Sequence, residues 1–544
     1  MRVLVLGGYG VFGQRLAQLL RRDGHDLTIA GRNLASAKAV AAQLGCNALQ
    51  LDRNGDISAL FGHDVVIDAA GPFHAQGPDP YRFARAVLAA GAHYLDLSDN
   101  AEFCSGIIAL DRQAKDAGLC ALSGLSSVPG LSSAAVRALT GSEIPQIIDI
   151  AILPGNRSPR GLSVMTSILT QAGKPFSVWT AGRWAKAWGW SDPKTYRLPD
   201  GTMRQGWQIE VPDTRLFPRH FGASTVIFRA GLELSIMRYG LALFGLLRRR
   251  LPIRVTPFLV RAFQLAAGMF LPFGSARGGM SVMVVTATER HFWRLLAEQG
   301  DGPFIPGVAI RALLRRPSLP AGARPALEVI TLDEAEAAMT DLKVRCERAT
   351  EPRAPIIPQV LGPDFEMLPA NVRALHLNAE VSTWQGSATV RRGSSRWGQF
   401  LAAAFGFPPE AEAVPVEVRK TVTDAGEIWF RKFGDHRFQS RIIRTQNGLT
   451  ESFGPFAFRL APFVREGALH FPVAAARLGP LPLPRWLLPG SDAREFDKDG
   501  TVRFDIRLTA PITARLIVHY TGQLSAVVPA IPFHPDAPDH PTLA

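Results

Sequence analysis

The sequence predicts an α/β protein with a doubly wound parallel sheet, followed by an α+β region and an antiparallel β-rich region. Three observations indicate this order. A glycine-rich turn stands between a strand and a helix within the first 13 residues. Short apolar strands then alternate with helical segments up to about residue 122, as in the β-α units of a parallel sheet. After about residue 370 the pattern changes to short alternating strands separated by turn signals.

The opening turn has the features of a phosphate-binding loop. A strand at Arg2–Leu6 leads into GxGxxG, and helical apolar spacing begins at Val11. The first glycine permits a tight turn, the second lets a pyrophosphate approach the backbone, and the third lets helix and strand pack closely. The helix N-terminus then offers free N–H groups to the phosphate. The pattern predicts a dinucleotide site, with a ligand-free turn as the alternative. Its predicted residues are Gly8, Tyr9, Gly10, Val11, Phe12 and Gly13.

The end of the second strand predicts which dinucleotide binds. The strand Asp26–Ala30 is followed by Gly31, Arg32 and Asn33, and no acid stands there to bind a ribose 2′-hydroxyl. A guanidinium at this place suits a 2′-phosphate, which predicts NADP with Arg32 and Asn33 as contacts. The alternative is that Arg32 is a solvated residue at a helix start.

The later strand ends supply the remaining candidates, because open α/β sheets bind ligands at the carboxyl ends of their strands. A third strand, Ala48–Leu51, ends at Asp52, which we expect at the adenine. A fourth, Val65–Ala69, leads into a turn expected at the cofactor. A fifth strand, His93–Leu97, carries the candidates for proton transfer, although a buried structural role for Asp96 is the alternative. The turn residues are Ala70, Gly71, Pro72 and Phe73, and the proton-transfer candidates are Tyr94, Asp96 and Asp99.

Taken together, these motifs resemble those of saccharopine dehydrogenase-like oxidoreductases. The matching segments are "GGYGVFG", "AGR", "AAGPF", "AGAHYLDLSD", "SGLSSVPG", "GDGPFIPG" (Gly300–Gly307) and "GARPALEVITLDEAEAAM" (Gly322–Met339). The resemblance spans about residues 1–347 and implies a Rossmann domain that binds NAD(P) and a substrate domain around a mixed sheet. It implies a phosphate loop at the three glycines, a nicotinamide-side turn at residues 71–73, an "HYxD" strand at His93, Tyr94 and Asp96, and an "SVP" turn at Pro129. The chain departs from the family at Asp99-Asn100, where Gly-Glu is frequent, and at Ser126, where an aspartate is frequent.

The C-terminal part is of a different kind. A stretch rich in proline and charge predicts a linker, and the β-rich region after it predicts a sandwich or barrel. Its segments "IWFRKFGDHRFQS" and "RLGPLPLPRWLLPG" resemble a bacterial domain of unknown function, which implies no known activity. The polar residues Arg431, Asp435, His436 and Arg437 form either a binding site or a charged hairpin tip. The predicted division is a Rossmann domain at 1–140, a substrate domain at 141–347, a linker at 348–369, a β-rich domain at 370–525 and a proline-rich tail at 526–544.

Charge and apolar patterning limit the partners. The formal charge is +13, but only 20% of residues are charged and no block of five like charges occurs, so we expect no nucleic acid partner. Four well-separated cysteines and the lack of a signal-peptide pattern favour a reduced, cytoplasmic setting. The segment 238–274 joins apolar stretches to arginines at positions 248, 249, 250, 254 and 261, which suits contact with the inner face of a membrane. Buried helices or a homodimer interface are the alternatives.

These observations predict an NADP-dependent oxidoreductase. We expect hydride transfer to or from a small or lipid-like carbonyl, imine or alkene substrate. No metal-ligand motif or nucleophile elbow occurs, so no metal site is expected. The alternative from another class is a dinucleotide-binding sensor or structural protein without turnover.

Overall fold

The computed structural model describes residues 1–55, 60–73, 77–159, 161–353, 355–378, 380–423, 426–445 and 448–527. The chain forms two compact units. Among the described residues, the first consists of Met1–Val284 and His291–Thr350, and the second of Val285–Arg290 together with the chain from Glu351 to Val527. Nearly all of the tail predicted at 526–544 lies outside the described residues.

The predicted doubly wound parallel sheet is confirmed at the N-terminus. Its strands are β1 (Arg2–Leu6), β2 (Asp26–Gly31), β3 (Asn47–Gln50), β4 (Val65–Asp68), β5 (His93–Asp96), β6 (Cys120–Ser123) and, from much later in the chain, β15 (Gly322–Pro325). They lie in the order β15-β6-β5-β4-β1-β2-β3, and every neighbouring pair is parallel. The helices of this part are α1 (Val11–Arg22), α2 (Leu34–Leu44), α3 (Arg82–Ala89), α4 (Ala101–Gly106), α5 (Asp111–Asp116) and α6 (Ser132–Thr140).

The chain returns to the first sheet long after the predicted boundary at residue 140. Strand β15 pairs with β6, and helix α11 (Ile305–Leu314) packs on α1. A Cβ on Gly307 would lie 3.2 Å from the Leu16 side chain, so the two helices pack closely at this glycine. Buried Arg311 joins the two helices through Asp23, with Nη2 and Oδ1 2.7 Å apart. Residues 300–340 therefore complete the dinucleotide-binding domain rather than close the substrate domain.

A mixed seven-stranded sheet forms the rest of the first unit, in the order β10-β11-β12-β7-β13-β14-β16. Among the tryptophans that precede residue 210, Trp179 and Trp190 are fully buried and Trp190 stacks on Trp207, so this aromatic region is mainly core. The strands are β7 (Ile147–Leu153), β8 (Pro175–Thr180), β9 (Arg183–Trp188), β10 (Ser191–Arg197), β11 (Met203–Gln208), β12 (Thr225–Gly231), β13 (Gly278–Val285), β14 (Glu289–Ala297) and β16 (Val344–Pro352), where β8 and β9 pair as a separate hairpin. The helices are α7 (Leu162–Gln171), α8 (Pro212–Phe221), α9 (Ser235–Arg250), α10 (Pro257–Met269) and α12 (Leu332–Ala337).

The second unit is an antiparallel sheet of 13 strands, which confirms the predicted β-rich class. The strand order is β23-β24-β27-β28-β29-β17-β18-β19-β20-β21-β22-β25-β26. The strands are β17 (Val381–Arg392), β18 (Ala411–Thr423), β19 (Gly426–Phe433), β20 (His436–Thr445), β21 (Gly448–Phe453), β22 (Phe456–Leu460), β23 (Phe463–Arg465), β24 (Ala468–His470), β25 (Val473–Leu478), β26 (Leu481–Pro482), β27 (Gly490–Lys498), β28 (Thr501–Thr509) and β29 (Leu516–Ala526). Its helices are α13 (Ile356–Leu361), α14 (Ala370–His376) and α15 (Arg396–Ala404).

The stretch expected to be a linker, 348–369, is largely regular structure. It holds the end of β16, helix α13 and a 3₁₀ helix at Gly362–Met367. Pro355 caps the start of α13 and Pro363 stands in the first turn of the 3₁₀ helix, where a missing N–H costs nothing. The apolar residues Ile357, Leu361, Phe365 and Leu368 lie in a core with Trp429 and Leu449. The division between the units still falls at Thr350, close to the predicted start of the linker.

No helix in the described part of the chain is long and apolar enough to cross a membrane. The apolar segment 238–274 is divided between α9, with 16 residues, and α10, with 13.

Candidate active site

The parallel sheet brings the predicted cofactor residues to one edge. Strand order runs outward in both directions from β1 and β4, so the loops after these two strands flank the point where ligands bind in open α/β sheets. Gly7–Gly10 follow β1, and Ala69–Phe73 follow β4. A Cβ on Gly7 would lie 2.9 Å from atoms of Ala69 and Ala70, so the two loops touch.

The glycine loop has the shape of a phosphate cradle. A Cβ on Gly13 would lie 2.3 Å from the Gly7 carbonyl oxygen, so only glycine allows α1 to pack there. A Cβ on Gly10 would meet nothing but that same oxygen, at 3.1 Å, and would otherwise enter open space above the loop. Gly10 caps α1 without a side-chain hydrogen bond, which leaves the first-turn N–H groups facing that space. These residues fit a dinucleotide pyrophosphate.

The end of β2 is shaped by Tyr9. A Cβ on Gly31 would lie 2.4 Å from Tyr9 Cε1, so the tyrosine ring covers this glycine. The backbone N–H of Asn33 donates to the Tyr9 hydroxyl at 3.3 Å. The Asn33 side chain accepts from Ser36 N–H at 3.1 Å and so caps α2. Arg32 is exposed, and within the described residues its guanidinium has no hydrogen-bond or ion-pair partner. It is therefore available for an anionic ligand.

Arg53 holds the turn after β4, a role that sequence reasoning missed. Its guanidinium lies 2.6 Å from the buried carboxylate of Asp68, also donates to the Ala70 carbonyl, and stands 5.7 Å from the centre of the Phe73 ring. Asp68 in turn accepts from the Ala70 N–H at 2.9 Å. The neighbouring Asp52, predicted at the adenine, is exposed and accepts from Asn54 N–H at 3.0 Å. The signal for Arg53 was an acid at the end of a fully buried strand, which requires a cation nearby.

The three proton-transfer candidates lie in different surroundings. Tyr94 is 1% exposed and belongs to the apolar core beside Phe83, and burial raises its pKa well above the usual range. Asp96 is fully buried; its Oδ1 accepts from Ser98 N–H at 2.9 Å, Gly124 N–H at 2.8 Å and Ser123 Oγ at 3.0 Å. Burial raises the pKa of Asp96 to about 7, against the effect of these bonds. Asp96 therefore ties the loops after β5 and β6 together.

Asp99 alone of the three is exposed, and it lines a cleft of about 260 Å³. The opposite wall is formed by α7 and the start of α8, with Ser167, Thr170, Gln171, Glu210 and Arg215. Gln171 is held in place by Glu210, whose N–H donates to Gln171 Oε1 at 2.8 Å. The Glu210 carboxylate lies 2.6 Å from Arg215. The cleft is therefore a polar site between the dinucleotide-binding domain and the mixed sheet.

Helix α7 connects this cleft to the glycine loop. A Cβ on Gly161, the residue that caps the start of α7, would lie 3.8 Å from Val11 at the start of α1. The last turn of α7 lines the cleft beside Asp99. At its C-terminus, the Arg248 guanidinium from α9 donates to the carbonyls of Leu169 at 2.6 Å and Ala172 at 2.7 Å. Helix α7 therefore lies along the ligand-binding edge and is fixed by α9.

A second buried acid lies beside the cleft and gave no sequence signal. Asp213 stands in the first turn of α8, two residues after Val211 of the cleft wall, and is fully buried. Among the described residues neither carboxylate oxygen has a hydrogen bond of normal geometry, and the nearby Ser132 hydroxyl and a backbone N–H only partly offset the burial. Burial raises the pKa of Asp213 to about 8. Its position depends on α8 packing against α6 and the turn around Pro129, a contact that no local pattern predicts.

Comparison with protein families identifies both ends of the chain. Residues 3–122 match the saccharopine dehydrogenase NADP binding domain. The N-terminal part is such a domain, its cofactor is NADP, and the chain is an NAD(P)-dependent oxidoreductase. Residues 368–524 match a domain of unknown function, DUF4166.

Solved structures show only distant likeness. Saccharopine dehydrogenase (L-Glu forming) from Saccharomyces cerevisiae is 15% identical, with 64% of this chain and 99% of that chain covered and a TM-score of 0.43. A dehydrogenase from Clostridium difficile is 9% identical, with 62% and 96% covered and a TM-score of 0.29. A Gfo/Idh/MocA family oxidoreductase from Vibrio cholerae is 11% identical, with 55% and 79% covered and a TM-score of 0.26. At these values the likeness carries no argument about function.

Proposed function

We propose that the chain catalyses hydride transfer between NADP and a carbonyl, imine or alkene carbon of a substrate held in the cleft beside Asp99. The proposal rests on the position of α7, which begins beside the glycine loop and ends at that cleft. When bound, the dinucleotide supplies or accepts the hydride. The chain itself binds, orients and screens the reactants.

Each group of residues has a separate task in this proposal. The loop from Gly8 to Gly13 holds the pyrophosphate, and Arg32 meets the 2′-phosphate as a charge-assisted partner. The Ala70–Phe73 turn, held by Arg53, forms the nicotinamide side of the site. Asp99 is the acid within reach of the cleft, so it is our candidate for exchanging a proton with the substrate.

The surroundings of the cleft favour a substrate with a polar reacting end and an apolar tail. The cleft walls carry carboxylates, hydroxyls and amides. Helix α9, which fixes the C-terminus of α7, begins an exposed apolar surface. A lipid-like molecule would thus meet polar groups at its reacting carbon and apolar groups beyond it.

We propose further that the α9–α10 surface rests on an anionic membrane. Exposed apolar side chains recur on one face of α9 at residues 236, 239, 243, 246 and 247, and on one face of α10 at residues 258, 265 and 269. Phe258, Leu265 and Met269 are 80%, 74% and 70% exposed. The basic partners are exposed Arg249, Arg250, Arg254 and Arg261. Apolar burial combined with about 1 kcal/mol per arginine against anionic lipid is how interfacial helices bind.

Isotope transfer tests the reaction. The chain is incubated with NADPH deuterated at the reactive carbon and a panel of ketones, cyclic imines and enones, with short and long alkyl tails. We expect deuterium in one product class, with Asp99→Asn slowing turnover but leaving NADPH affinity unchanged. If Asp99→Asn and the unmodified chain transferred deuterium at equal rates, Asp99 would not be the group that exchanges a proton with the substrate. No transfer to any substrate would contradict the hydride proposal.

Vesicle flotation tests the membrane surface. We expect the chain to float with vesicles that contain anionic lipid at low salt, and to be released at high salt. Phe258→Glu combined with Leu265→Glu should abolish flotation, whereas Ile144→Glu, at a site 71% exposed elsewhere in the first unit, should not. A chain that stays unbound but sediments as a dimer would show that a second copy covers this surface instead.

A dinucleotide sensor without turnover is the second candidate, and one observation favours it. Tyr94 and Asp96, two of the three predicted acids, lie buried in structural roles. Tight NADPH binding together with a conformational response, but no deuterium transfer to any of the panel, would support this alternative.

A further inference from the structure

The sheet of the second unit is bent around a cavity of about 130 Å³. One wall comes from β19 to β22 and β25, and the opposite wall from β27 to β29. Strands β17 and β18, which lie between these two groups in the sheet, contribute no lining residue. Strands at least three places apart therefore face each other across the cavity, independently of the active site in the first unit.

The cavity wall is mainly aromatic. Six phenylalanines line it, and neighbouring rings touch, with the Phe407 centre 5.9 Å from Phe438 and the Phe453 centre 6.2 Å from Phe458. Four of the six are half-buried and line the cavity. These four are Phe405, Phe453, Phe458 and Phe471.

Every charged group in the wall is already paired. Arg431 lies 3.1 Å from Glu451 and donates to Ser440 at 2.9 Å, and Ser440 donates to the same carboxylate at 2.6 Å. Glu495 lies 2.7 Å from His376 Nε2. Among the described residues, no nitrogen or oxygen atom of a lining side chain is buried without a partner. The cavity therefore offers a ligand apolar surface and no free charge.

The wall is also held in a fixed shape. Trp429, which lines the cavity, donates through Nε1 to Glu427 at 2.8 Å. Lys420 stands 3.7 Å from the ring centre, and its Nζ donates to the Leu375 carbonyl at 2.9 Å. A wall fixed by such contacts does not need to rearrange when a ligand enters, which favours binding.

We infer that the second unit is a binding module for an uncharged apolar molecule the size of a single aromatic ring. Apolar cavities of about 150 Å³ bind benzene. The ring edges and faces of the phenylalanines suit an aromatic guest, since such pairs prefer tilted or offset contact. A charged guest would lose its hydration without gaining a partner.

Saturation-transfer NMR on the full chain tests this inference with three probes of similar size. Toluene is neutral, benzoate is an anion and benzylammonium is a cation. We expect strong transfer to toluene and at least fivefold weaker transfer to either ion. Saturation transfer to benzoate or benzylammonium as strong as that to toluene would refute the inference that the cavity selects uncharged molecules.

Filling variants locate the site. Ala493→Leu and Val473→Phe fill the cavity from opposite walls, so each should reduce transfer to toluene at least fivefold. The matched control Ala474→Leu adds the same bulk as the first variant at an exposed position of β25 and should leave transfer unchanged. An unchanged melting transition of each variant establishes that it folds. Transfer that survives in both folded filling variants would place toluene elsewhere, for example on the α9–α10 surface, and would refute the cavity as the site.

Discussion

Replacing Arg32 with glutamate should reverse the cofactor preference of the chain. Arg32 follows β2, is exposed, and has no side-chain partner among the described residues, so its removal breaks no native contact. A charge-assisted hydrogen bond to a phosphate contributes about 1.5–3 kcal/mol. Arg32→Glu should therefore weaken NADPH binding by about 10- to 150-fold. Repulsion between the new carboxylate and the phosphate adds to this loss.

NADH should respond in the opposite direction. A carboxylate at the end of the second strand can accept a hydrogen bond from the ribose 2′-hydroxyl, as in NAD-specific sites. We therefore expect unchanged or tighter NADH binding by Arg32→Glu. Because Arg32 is exposed, salt screens its effect, and the loss of NADPH affinity should be smaller at 1 M salt than at 0.1 M.

Calorimetric titration of both dinucleotides measures the ratio of their affinities. Arg112→Glu is the control, because it makes the same charge change on α5 at a side chain that is 95% exposed. A ratio altered equally by both variants would show only a general charge effect. A ratio that Arg32→Glu leaves unchanged would refute the role of Arg32.

Three other outcomes follow from the described contacts. Gly10→Val should abolish NADPH binding while the chain still folds, because, among the described residues beyond its chain neighbours, the Gly7 carbonyl oxygen, at 3.1 Å, is the one atom within 4 Å of its Cβ and the rest of the side chain would fill the space for the pyrophosphate; retained binding would show that the loop is a turn without a ligand. Arg53→Met should lower the free energy of unfolding, measured with urea, by about 3–5 kcal/mol, because it leaves the buried Asp68 carboxylate without its ion-pair partner. A loss below about 1 kcal/mol would contradict this role of Arg53. In the folded state Asp213 keeps its proton up to about pH 8, whereas in the unfolded chain it loses the proton near pH 3.8. The folded state therefore binds more protons between about pH 4 and 8, and the free energy of unfolding falls as the pH rises through this range. At 1.36 kcal/mol per pKa unit the fall is about 6 kcal/mol, and Asp213→Asn should remove it from the pH profile of unfolding; an unchanged profile would exclude Asp213 as its source.

The cofactor loop could be predicted from sequence because its determinants are local. Gly8, Gly10 and Gly13 act through the backbone within one strand-turn-helix unit, and Arg32 acts at the next strand end. The same holds for the first five strands of the parallel sheet, whose predicted ends differ from the observed ones by no more than about one residue. Local patterns of period two and turn residues were sufficient for these elements.

Contacts between distant parts of the chain could not be predicted in this way. Strand β15 joins the first sheet beside β6, although about 200 residues separate them in sequence. Arg53 is explained only by the buried Asp68 on another strand. In the linker stretch the prolines predicted a linker, yet Pro355 and Pro363 stand at the starts of short helices whose apolar residues join a core around Trp429. The composition of these segments is as the sequence analysis stated, but their secondary structure depends on the residues against which they pack.

The residues of the cleft beside Asp99 could likewise be predicted only in part, because contacts between distant parts of the chain form it. The sequence placed Tyr94, Asp96 and Asp99 at one strand end, but the three differ in how far along the strand they stand. Tyr94 lies inside β5 and packs in the apolar core. Asp96 is the last residue of β5 and receives three hydrogen bonds from Ser98, Ser123 and Gly124. The opposite wall is formed by α7 and α8, which have no motif of their own. A dinucleotide loop can therefore be recognised in one short stretch, whereas a substrate site is formed by helices whose contribution depends on which surfaces they cover.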